Sequence, residues 1–389
     1  MQPDDSFAPQ RSDRCRRIGI NAHLLSGEAG YRRAGIHQYI FQVLRHLPWE
    51  EGGPEHFIFT RQAEQLLARN GLRILRSRWP TERRLARIAW EQLAWPLLVA
   101  RHHLDLLHSM AFVTPVVLPC PAVVTVYDVS FVLYPDRFPA RQRLYLQSQT
   151  RRSCRQARRV IVISQSSRRD VHRLFGVPLG RIDVVRPGVD ARFRPLPAAE
   201  VKVFRREKAL PDRFVLHVGT LQPRKNIPVL LEAFARLNVP DLHLVMAGGK
   251  GWMTHQIFER ASALNLEGRV HFTGYVADQE LPFWYNAAAM LVFPSVYEGF
   301  GMPVVEAMAC GTPVIASNAS SVPEAAGEAA LLFDPQDVAG LADRMAAVLH
   351  DPGLATTMGE DGLEQAAQFS WEQAGAETAA VYRQALQTE

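Results

Sequence analysis

The chain of 389 residues is 47% hydrophobic and 21% charged, with a formal net charge of +5, and it can bury the cores of two domains. It contains no run of 18 apolar residues, so we expect no transmembrane helix. Its four cysteines lie far apart without a Cys-x-x-Cys pair, which argues against a disulfide framework or a zinc site and favours the cytoplasm.

The small net charge is the sum of opposite charges on the two halves of the chain. Residues 1–195 carry 31 Arg, no Lys and 16 Asp or Glu, a formal charge of +15, whereas residues 196–389 carry 13 Lys or Arg and 23 acids, a formal charge of −10. Such a split predicts different partners for the two halves. The basic half is suited to nucleic acid, an anionic membrane or an anionic lipid-linked substrate. A GC-rich genome would explain the preference for Arg but not the scarcity of acids.

The first half alternates between short apolar runs and amphipathic stretches, a pattern typical of strands and helices. Residues 1–15 begin without the apolar core of a signal peptide, and we expect a disordered tail there. Residues 17–22 predict a strand, and residues 36–47 predict a helix after a loop that contains several glycines. Further strands are expected at residues 57–60, 105–109, 123–128 and 160–164.

Residues 81–100 predict one long amphipathic helix. Its apolar stripe would consist of Leu85, Ile88, Ala89, Leu93 and Leu97. Core packing is the simplest interpretation of the tryptophans in and before this helix, and a contact with an acceptor or a membrane is the alternative. These tryptophans are Trp79, Trp90 and Trp95.

Two polar residues stand near the ends of apolar strands. His108 follows Leu107, and Asp128 closes the near-continuous apolar run 123–127. Such runs are typical of parallel sheets buried on both faces, whose functional groups collect at the carboxyl ends of the strands. Both residues are therefore candidates to face a cleft, although a lone histidine is more often a structural residue.

Residues 137–159 form the most basic stretch, with eight arginines and no acid. Arginines interspersed with Leu144, Tyr145 and Leu146 predict a basic amphipathic helix. Such a helix can lie on an anionic bilayer, or its charges can simply be solvated. Ser164 ends the next strand and is placed to cap the helix that follows.

The second half restarts the alternation after a proline-rich linker that ends near Pro197. A strand at residues 214–220 contains Gly219 and is followed by Arg224 and Lys225, ahead of a helix at residues 227–237. Two cations at the carboxyl end of a strand can neutralise a diphosphate, and Lys225 is one of only four lysines. Further elements are expected at residues 243–249, 270–276, 314–317 and 371–386.

The apolar run 288–293 leads into a glycine-rich turn and then a helix that ends at Gly311. Pro303 suits the first turn of that helix. A glycine-rich turn before a helix N-terminus is an anion site, because free backbone N–H groups and the positive dipole end meet there. Glu298 in the turn and Glu306 one helical turn later frame this site.

The string Glu-Gly-Phe-Gly-x-Pro-x-x-Glu-Ala, which begins at Glu298, resembles the signature of family 4 glycosyltransferases. The seven residues between its two glutamates are the mark of that family. Gly-Thr-Leu-x-Pro-Arg-Lys-Asn, from Gly219 to Asn226, resembles the family's phosphate-binding motif. The resemblance covers residues 17–386. It implies an α/β GT-B fold, with two Rossmann-like doubly wound parallel-sheet domains that face a cleft.

The same resemblance implies how the chain is divided. Residues 16–195 would form an acceptor-binding domain and residues 196–369 a nucleotide-sugar-binding domain. Residues 370–389 would form a helix that crosses back to the first domain.

Site residues can be carried over from the family position by position. The resemblance implies catalytic roles for Asp128, Glu298, Arg224 and Lys225. It also implies that the donor contacts Gly35, Gly219, Arg224, Lys225, Tyr275, Val276, Glu298, Phe300, Gly301, Met302, Pro303 and Glu306. Where the family usually has His-Asp, this chain has Tyr127-Asp128, so no histidine contact with the transferred sugar is carried over.

The implied reaction is a retaining hexosyl transfer to a lipid-linked or polysaccharide acceptor, with mannose from GDP-mannose as the expected donor and a UDP-sugar as the alternative. No cofactor is expected beyond the donor substrate. No metal is expected either, because the chain lacks Asp-x-Asp and places Arg224 and Lys225 where a metal would act. A cytoplasmic protein on the inner face of the membrane is consistent with the basic first half.

Other classes of function fit less well. A nucleotide-dependent oxidoreductase would need a Gly-x-Gly-x-x-Gly turn and an acid about 20 residues later, which neither half offers. Nucleic-acid binding would explain the basic half, but its arginines are spread along several elements without a recognised module, so no nucleic-acid partner is expected. A membrane-binding protein or scaffold without catalysis remains an alternative.

Overall fold

The computed structural model describes residues 15–25, 35–61, 71–135, 138–249, 251 and 255–387. The expected tail before Cys15 and most of the glycine-containing loop before Gly35 lie outside these residues. The described chain forms two α/β domains, each built on a parallel sheet, and this confirms the predicted fold class.

The first sheet is fully parallel, with the order β3-β2-β1-β4-β5-β6-β7. Its strands are β1 (Arg17–Asn21), β2 (Glu55–Thr60), β3 (Leu72–Arg76), β4 (Leu106–Ser109), β5 (Ala122–Val126), β6 (Arg159–Val162) and β7 (Ile182–Val184). Its helices are α1 (Ile36–His46), α2 (Arg84–Ala89), α3 (Trp95–Arg101), α4 (Ser130–Leu133), α5 (Ala140–Gln156) and α6 (Gln165–Phe175).

The second sheet is also parallel, with the order β10-β9-β8-β11-β12-β13. Its strands are β8 (Arg213–Val218), β9 (Leu242–Ala247), β10 (Val270–Gly274), β11 (Met290–Phe293), β12 (Val314–Ser317) and β13 (Leu331–Phe333). The helices of this half are α7 (Ala198–Glu207), α8 (Ile227–Leu237), α9 (His255–Ala263), α10 (Leu281–Ala287), α11 (Met302–Ala309), α12 (Val322–Ala326), α13 (Val338–His350), α14 (Pro352–Ala366) and α15 (Trp371–Leu386).

The central strands are continuous apolar runs because both of their faces are covered. Every residue of β5 and of β12 is buried, and Val124 in β5 pairs in register with Val160 in β6. Parallel pairing also brings the carboxyl ends of all strands of a sheet to one edge. Asp128 after β5, Gly219 after β8 and the turn after β11 therefore lie at such edges.

The edge strand β3 was not predicted from the sequence. It reads Leu-Arg-Ile-Leu-Arg, so it lacks the continuous apolar run of the central strands, and only Leu72 is fully buried. An edge strand has a neighbour on one side only and tolerates exposed arginines.

Helix α15 returns to the first domain and packs along α1. A Cβ added to Gly375 would overlap the carbonyl oxygen of His46, so the two helix backbones touch at this point. Tyr382 completes the contact by placing its hydroxyl 2.7 Å from Nδ1 of His108 in β4. The last helix is thereby built into the core of the first domain.

The predicted helix 81–100 is broken by a π-turn at Trp90–Ala94, between α2 and α3. Trp90 and Trp95 are buried and stacked on each other, which confirms core packing for these two tryptophans. The expected apolar stripe does not face the core. The exposed fractions of its leucines are 81% for Leu85, 65% for Leu93 and 72% for Leu97.

Helix α5 forms within the basic stretch, but several arginines of this stretch make contacts that stabilise the fold. Arg155 donates to the Phe175 carbonyl (2.9 Å), and Arg158 beyond the helix donates to the Ala385 carbonyl (3.2 Å). Arg159 makes a two-pronged ion pair with Asp183. The predicted basic surface is therefore smaller than the sequence indicates. No helix within the described ranges is long and apolar enough to cross a bilayer.

Candidate functional site

The turn after β11 lies where the two domains meet. A Cβ on Gly299 would lie 2.6 Å from the Tyr127 carbonyl oxygen, so glycine is needed for this close approach. Tyr297 donates its hydroxyl to Asp170 (3.0 Å) and accepts the backbone N–H of Val129 (3.3 Å). The glycine-rich turn therefore faces the carboxyl edge of the first sheet.

The turn passes directly into α11. Gly301, which precedes this helix, has φ of +120°, a conformation that favours glycine, and Pro303 occupies the first helical turn as predicted. The hydroxyl of Ser321 lies 2.8 Å from the Glu298 carbonyl and 2.9 Å from the Phe300 carbonyl, within donating distance of both. The turn is thus fixed at the positive end of the α11 dipole.

Three charged side chains form an ion cluster beneath the turn. Glu298 accepts from Lys225 Nζ (2.6 Å) through one oxygen and from Arg224 through the other. Arg224 also donates to the Tyr297 carbonyl (3.1 Å). With its amide oxygen turned towards the guanidinium, Gln222 accepts from Arg224 Nε (2.9 Å) and Nη2 (3.1 Å). The sequence predicted these three charges at one site, and the structure brings them into direct contact.

Burial and charge act against each other in this cluster. Burial opposes the charge of Lys225, whose exposed fraction is 5%, and lowers its pKa to about 8 even though Glu298 favours the charged form. Burial also opposes ionisation of Glu298, but Arg224 and Lys225 outweigh it and lower the pKa of Glu298 to about 2. The cluster therefore holds two cations against one anion near neutral pH.

Gly219 makes room for the lysine. Its φ is +149°, and an added Cβ would lie 3.0 Å from Cε and 3.2 Å from Nζ of Lys225. A Cβ on Gly248 would in turn overlap the Gly219 carbonyl oxygen. A side chain at position 219 would therefore press on Lys225 and adopt a strained backbone conformation, and a side chain at position 248 would collide with the end of β8.

Asp128 lies on the opposite wall, at the end of β5. It is half-buried and accepts the backbone N–H of Ser130 through Oδ1 (2.8 Å). Burial would lower the pKa of Arg224, but the charges of Glu298 and then Asp128 raise it. Asp128 is thus close enough to the ion cluster to act on it across the domain boundary.

Glu306 lies one turn into α11, beside a tyrosine. Tyr285 donates its hydroxyl to Glu306 Oε2 (2.8 Å). Burial raises the pKa of Glu306 to about 7, with Asp278 and Asp190 adding to the increase and Arg192 opposing it. Of the two predicted carboxylates, Glu298 is fixed as an anion, and Glu306 titrates near neutral pH.

The remaining predicted donor contacts have different exposures. Gly35 precedes α1 with φ of +60° and open space around its Cβ position. Tyr275 is exposed and Val276 is buried at the end of β10. Met302 is half-buried, and the ring of Phe300 packs against Phe369, so only its backbone can meet a ligand.

His108 does not face the cleft as the sequence suggested. It is fully buried, and its two ring nitrogens lie 2.7 Å from the Tyr382 hydroxyl and 2.8 Å from the Thr125 hydroxyl. Burial lowers the pKa of His108 to about 3, so it is a neutral structural residue. Tyr127 is also a core residue and donates its hydroxyl to the Met110 carbonyl (2.7 Å).

Comparisons with known proteins place this site in a family. Residues 200–365 match the family model described as glycosyl transferases group 1, and residues 33–193 match the model described as glycosyltransferase family 4. The O-antigen chain mannosyltransferase B of Escherichia coli is 34% identical over 269 residues, which cover 67% of this chain and 70% of that protein. The chain belongs to the group 1 glycosyltransferases.

This glycosyltransferase has further relatives of known structure or activity. It is 33% identical to the MMP alpha-(1->4)-mannosyltransferase of Mycolicibacterium hassiacum over 61% of its length and 56% of that protein. The sucrose-phosphate synthase of Thermosynechococcus elongatus superposes with a TM-score of 0.74 and 25% identity, and the match covers 95% of this chain and 98% of that one. The predicted GT-B fold and enzyme class are confirmed.

Sequence reasoning missed several residues that shape the site of the glycosyltransferase. Gln222 holds Arg224, Ser321 holds the turn, and Tyr297 reaches Asp170 across the domain boundary. Gln222 stands within the string from Gly219 to Asn226 that resembles the family motif and could have been found there. Tyr297 carries no sequence signal, because its role depends on how the two domains are placed. Ser321 carries none either, because it is far along the chain from the turn that it holds.

Proposed function

We propose that the protein transfers a hexosyl residue, mannose from GDP-mannose, to a hydroxyl group of a polysaccharide or lipid-linked acceptor with retention of configuration. The observation that carries this proposal is the ion cluster of Glu298, Arg224 and Lys225 at the N-terminus of α11. Two mannosyltransferases among its relatives support mannose as the sugar.

The cluster is suited to the leaving diphosphate. As the bond between sugar and phosphate breaks, negative charge grows on the β-phosphate, and fixed positive groups stabilise that charge most in the transition state. Arg224, Lys225 and the α11 N-terminus supply those groups, with Glu298 balancing one charge and contacting the sugar. Glu306 would accept hydrogen bonds from the ribose hydroxyls.

Retention fits a front-face route. A leaving phosphate oxygen takes the proton of the acceptor hydroxyl while that hydroxyl attacks the same face of the sugar. Asp128, on the first domain, would bind the acceptor hydroxyl or the donor sugar close to this point. With two protein cations at the diphosphate, the reaction would need no metal ion.

Nucleotide release from a panel of sugar donors tests the proposal. We expect GDP release from GDP-mannose, unchanged by EDTA and reduced at least about 100-fold by Arg224→Gln, which removes a charge at the transition state. The matched control is Arg236→Gln, an exposed arginine on α8. Preference for a UDP-sugar would replace the donor but keep the enzyme class. Release from no donor, or EDTA-sensitive turnover restored by a divalent ion, would contradict the proposed chemistry.

We also propose that the first domain rests on an anionic membrane surface. Leu93 and Leu97 are exposed four residues apart on the α2–π–α3 segment, and the exposed arginines Arg83 and Arg84 stand where this segment begins. An apolar stripe beside basic residues is suited to the interface of an anionic bilayer. This location would bring the protein to a lipid-linked acceptor.

Vesicle flotation tests the membrane proposal. Vesicles containing phosphatidylglycerol should bind the protein, and the double variant Leu93→Gln/Leu97→Gln should weaken binding at least about tenfold, because two leucines that would enter the bilayer are lost. Leu363→Gln, a partly exposed leucine on α14, is the control. Equal vesicle binding by the double variant and the wild type would refute the proposal that this surface contacts the membrane.

A further inference from the structure

A groove with an apolar lining and an acidic rim lies between α7 and α10 on the second domain. Its volume is about 570 Å³, and none of its lining residues belongs to the candidate donor site. The rings of Phe204 and Phe283 stack in it with centroids 5.2 Å apart, and Val203 beside them is 43% exposed. The carboxylates of Glu200 and Glu207 also line it. We call these five residues the α7–α10 groove.

The negative charge of the groove is not balanced from within. Lys208 and Glu280 stand beside it, but they neutralise each other in an ion pair of 2.7 Å. The groove's own two carboxylates are exposed and form no ion pair with any described residue. Lys202 and Arg206 are exposed on the same helix, but a helix turns by about 100° per residue, which puts them on the side of α7 opposite the groove. Two exposed anions therefore border an apolar surface.

A surface of opposite charge runs along α5 in the first domain. Exposed side chains recur there at intervals of three or four residues, and they are Arg141, Leu144, Ser148, Arg151 and Arg155. This spacing places them on one face of the helix. Leu144 is 60% exposed. We call these five residues the α5 stripe. It combines one apolar side chain with three cations, whereas the groove combines an apolar surface with two anions.

The two surfaces are complementary and lie on different domains of one chain. A helix that lays an apolar residue into a groove is a recurring mode of recognition between proteins. The formal charges of the two halves, +15 and −10, would steer the first half of one molecule towards the second half of another. We propose that the α5 stripe docks in the α7–α10 groove of a second copy of this chain, with Leu144 against Val203 and arginines beside Glu200 and Glu207.

The charges favour a second copy over a membrane as the partner of the α5 stripe. An anionic bilayer would attract its arginines, but a single exposed leucine offers little apolar area for insertion. A bilayer would also leave the acidic groove without a partner. One helix in one groove is a small contact that depends on exposed charges. We therefore expect a reversible association that weakens as salt is added.

Sedimentation velocity at a series of protein concentrations tests the proposal. The wild type should associate reversibly, and less at high salt than at low salt. Charge reversal on either surface should raise the dissociation constant at least about tenfold, because like charges would then face each other. The two variants are Glu200→Arg/Glu207→Arg in the groove and Arg141→Glu/Arg151→Glu on the stripe.

An equimolar mixture of these two variants should recover the association that each has lost, since the unchanged stripe of one still matches the unchanged groove of the other. The matched control, Lys202→Glu/Arg206→Glu, reverses two charges on the other side of α7 and should associate at least as tightly as the wild type. Val203→Gln changes no charge and should weaken association about fivefold, because an apolar contact is lost. Its melting temperature should stay unchanged, since the side chain is exposed.

Several results would overturn the proposal. A wild type that stays monomeric at every concentration would do so, and so would association that survives both charge reversals. A control that loses association as the groove variant does would show an effect of overall charge rather than of these surfaces. If the stripe variant kept self-association but lost binding to phosphatidylglycerol vesicles, the α5 stripe would belong to a membrane contact instead.

Discussion

At the scale of single residues, the candidate site depends on a lysine whose charge is opposed by burial and favoured by its partner Glu298. Lys225 is buried beneath the turn, with Glu298 at 2.6 Å and the ring of Phe293 at 4.6 Å from Nζ. Removing one member of a buried ion pair leaves the other charge uncompensated, which costs more than the pair contributes as a whole. Glu298 therefore has a structural role in addition to any contact with the sugar.

Glu298→Gln should lower the free energy of unfolding by about 3 kcal/mol, because Lys225 and Arg224 lose their buried counter-ion. Urea unfolding measures the change. Glu232→Gln, which breaks a solvent-exposed pair with Arg260, is the control and should change the same quantity by less than about 0.5 kcal/mol. Equal effects of the two variants would show that Lys225 does not depend on Glu298.

Donor binding should depend on pH through two residues. Glu306 becomes an anion as the pH rises through about 7, and Lys225 loses its proton as the pH rises through about 8. Affinity should therefore be greatest between pH 7 and 8 and fall by up to about tenfold per pH unit on either side.

Titration calorimetry with GDP at a series of pH values measures this profile. Glu306→Gln should flatten the acidic side, and Lys225→Arg should flatten the alkaline side, because arginine stays protonated. If both variants kept both slopes of the pH profile, groups other than Glu306 and Lys225 would be responsible for the pH dependence of GDP binding.

At the scale of elements, the sequence predicted most accurately those strands, helices and caps whose formation has one dominant physical cause. The apolar run of β12 predicted Val314–Ser317, the last helix matched Trp371–Leu386, and Ser164 caps α6 by accepting the N–H of Ser167. The apolar stripe predicted for the helix at 81–100 does not face the core. A periodic pattern shows that apolar residues share one face of a helix, but not whether another element packs against that face. The π-turn has no periodic signature.

The turn before α11 tests how strictly one backbone conformation is needed. Gly301→Ala should lower the free energy of unfolding by about 2 kcal/mol, since φ of +120° strains a residue with a Cβ. It should also weaken GDP binding, because the start of α11 would shift. Gly180→Ala is the matched control, at a glycine with open space at its Cβ position and no left-handed φ. Equal stability and GDP affinity in both variants would contradict a strained turn.

At the scale of the whole molecule, the candidate site depends on how the domains are placed. The pattern of residues predicted two parallel sheets and the three charged residues that meet below the turn, but not the pairs that cross the boundary. Glu324 in α12 accepts the backbone N–H groups of Gln165 (2.7 Å) and Ser166 (2.6 Å) at the start of α6. His108 was misplaced for the same reason, because its partner Tyr382 is 274 residues away.

Glu324→Ala should loosen the contact between the domains, because α6 loses the carboxylate at its positive end. Small-angle scattering should show a larger radius of gyration, and the free energy of unfolding should fall by about 1 kcal/mol. Glu328→Ala, an exposed glutamate four residues later, is the control. A scattering curve identical to that of the wild type would mean that Glu324 does not hold the domains together.

The most direct test of the account is a crystal structure of the protein with GDP. The β-phosphate should lie about 3 Å from the side-chain nitrogens of Arg224 and Lys225, at the N-terminus of α11. The ribose hydroxyls should lie within hydrogen-bond distance of Glu306. A nucleotide bound with its diphosphate away from these groups, or a cleft that stays empty at saturating GDP, would contradict the central claim.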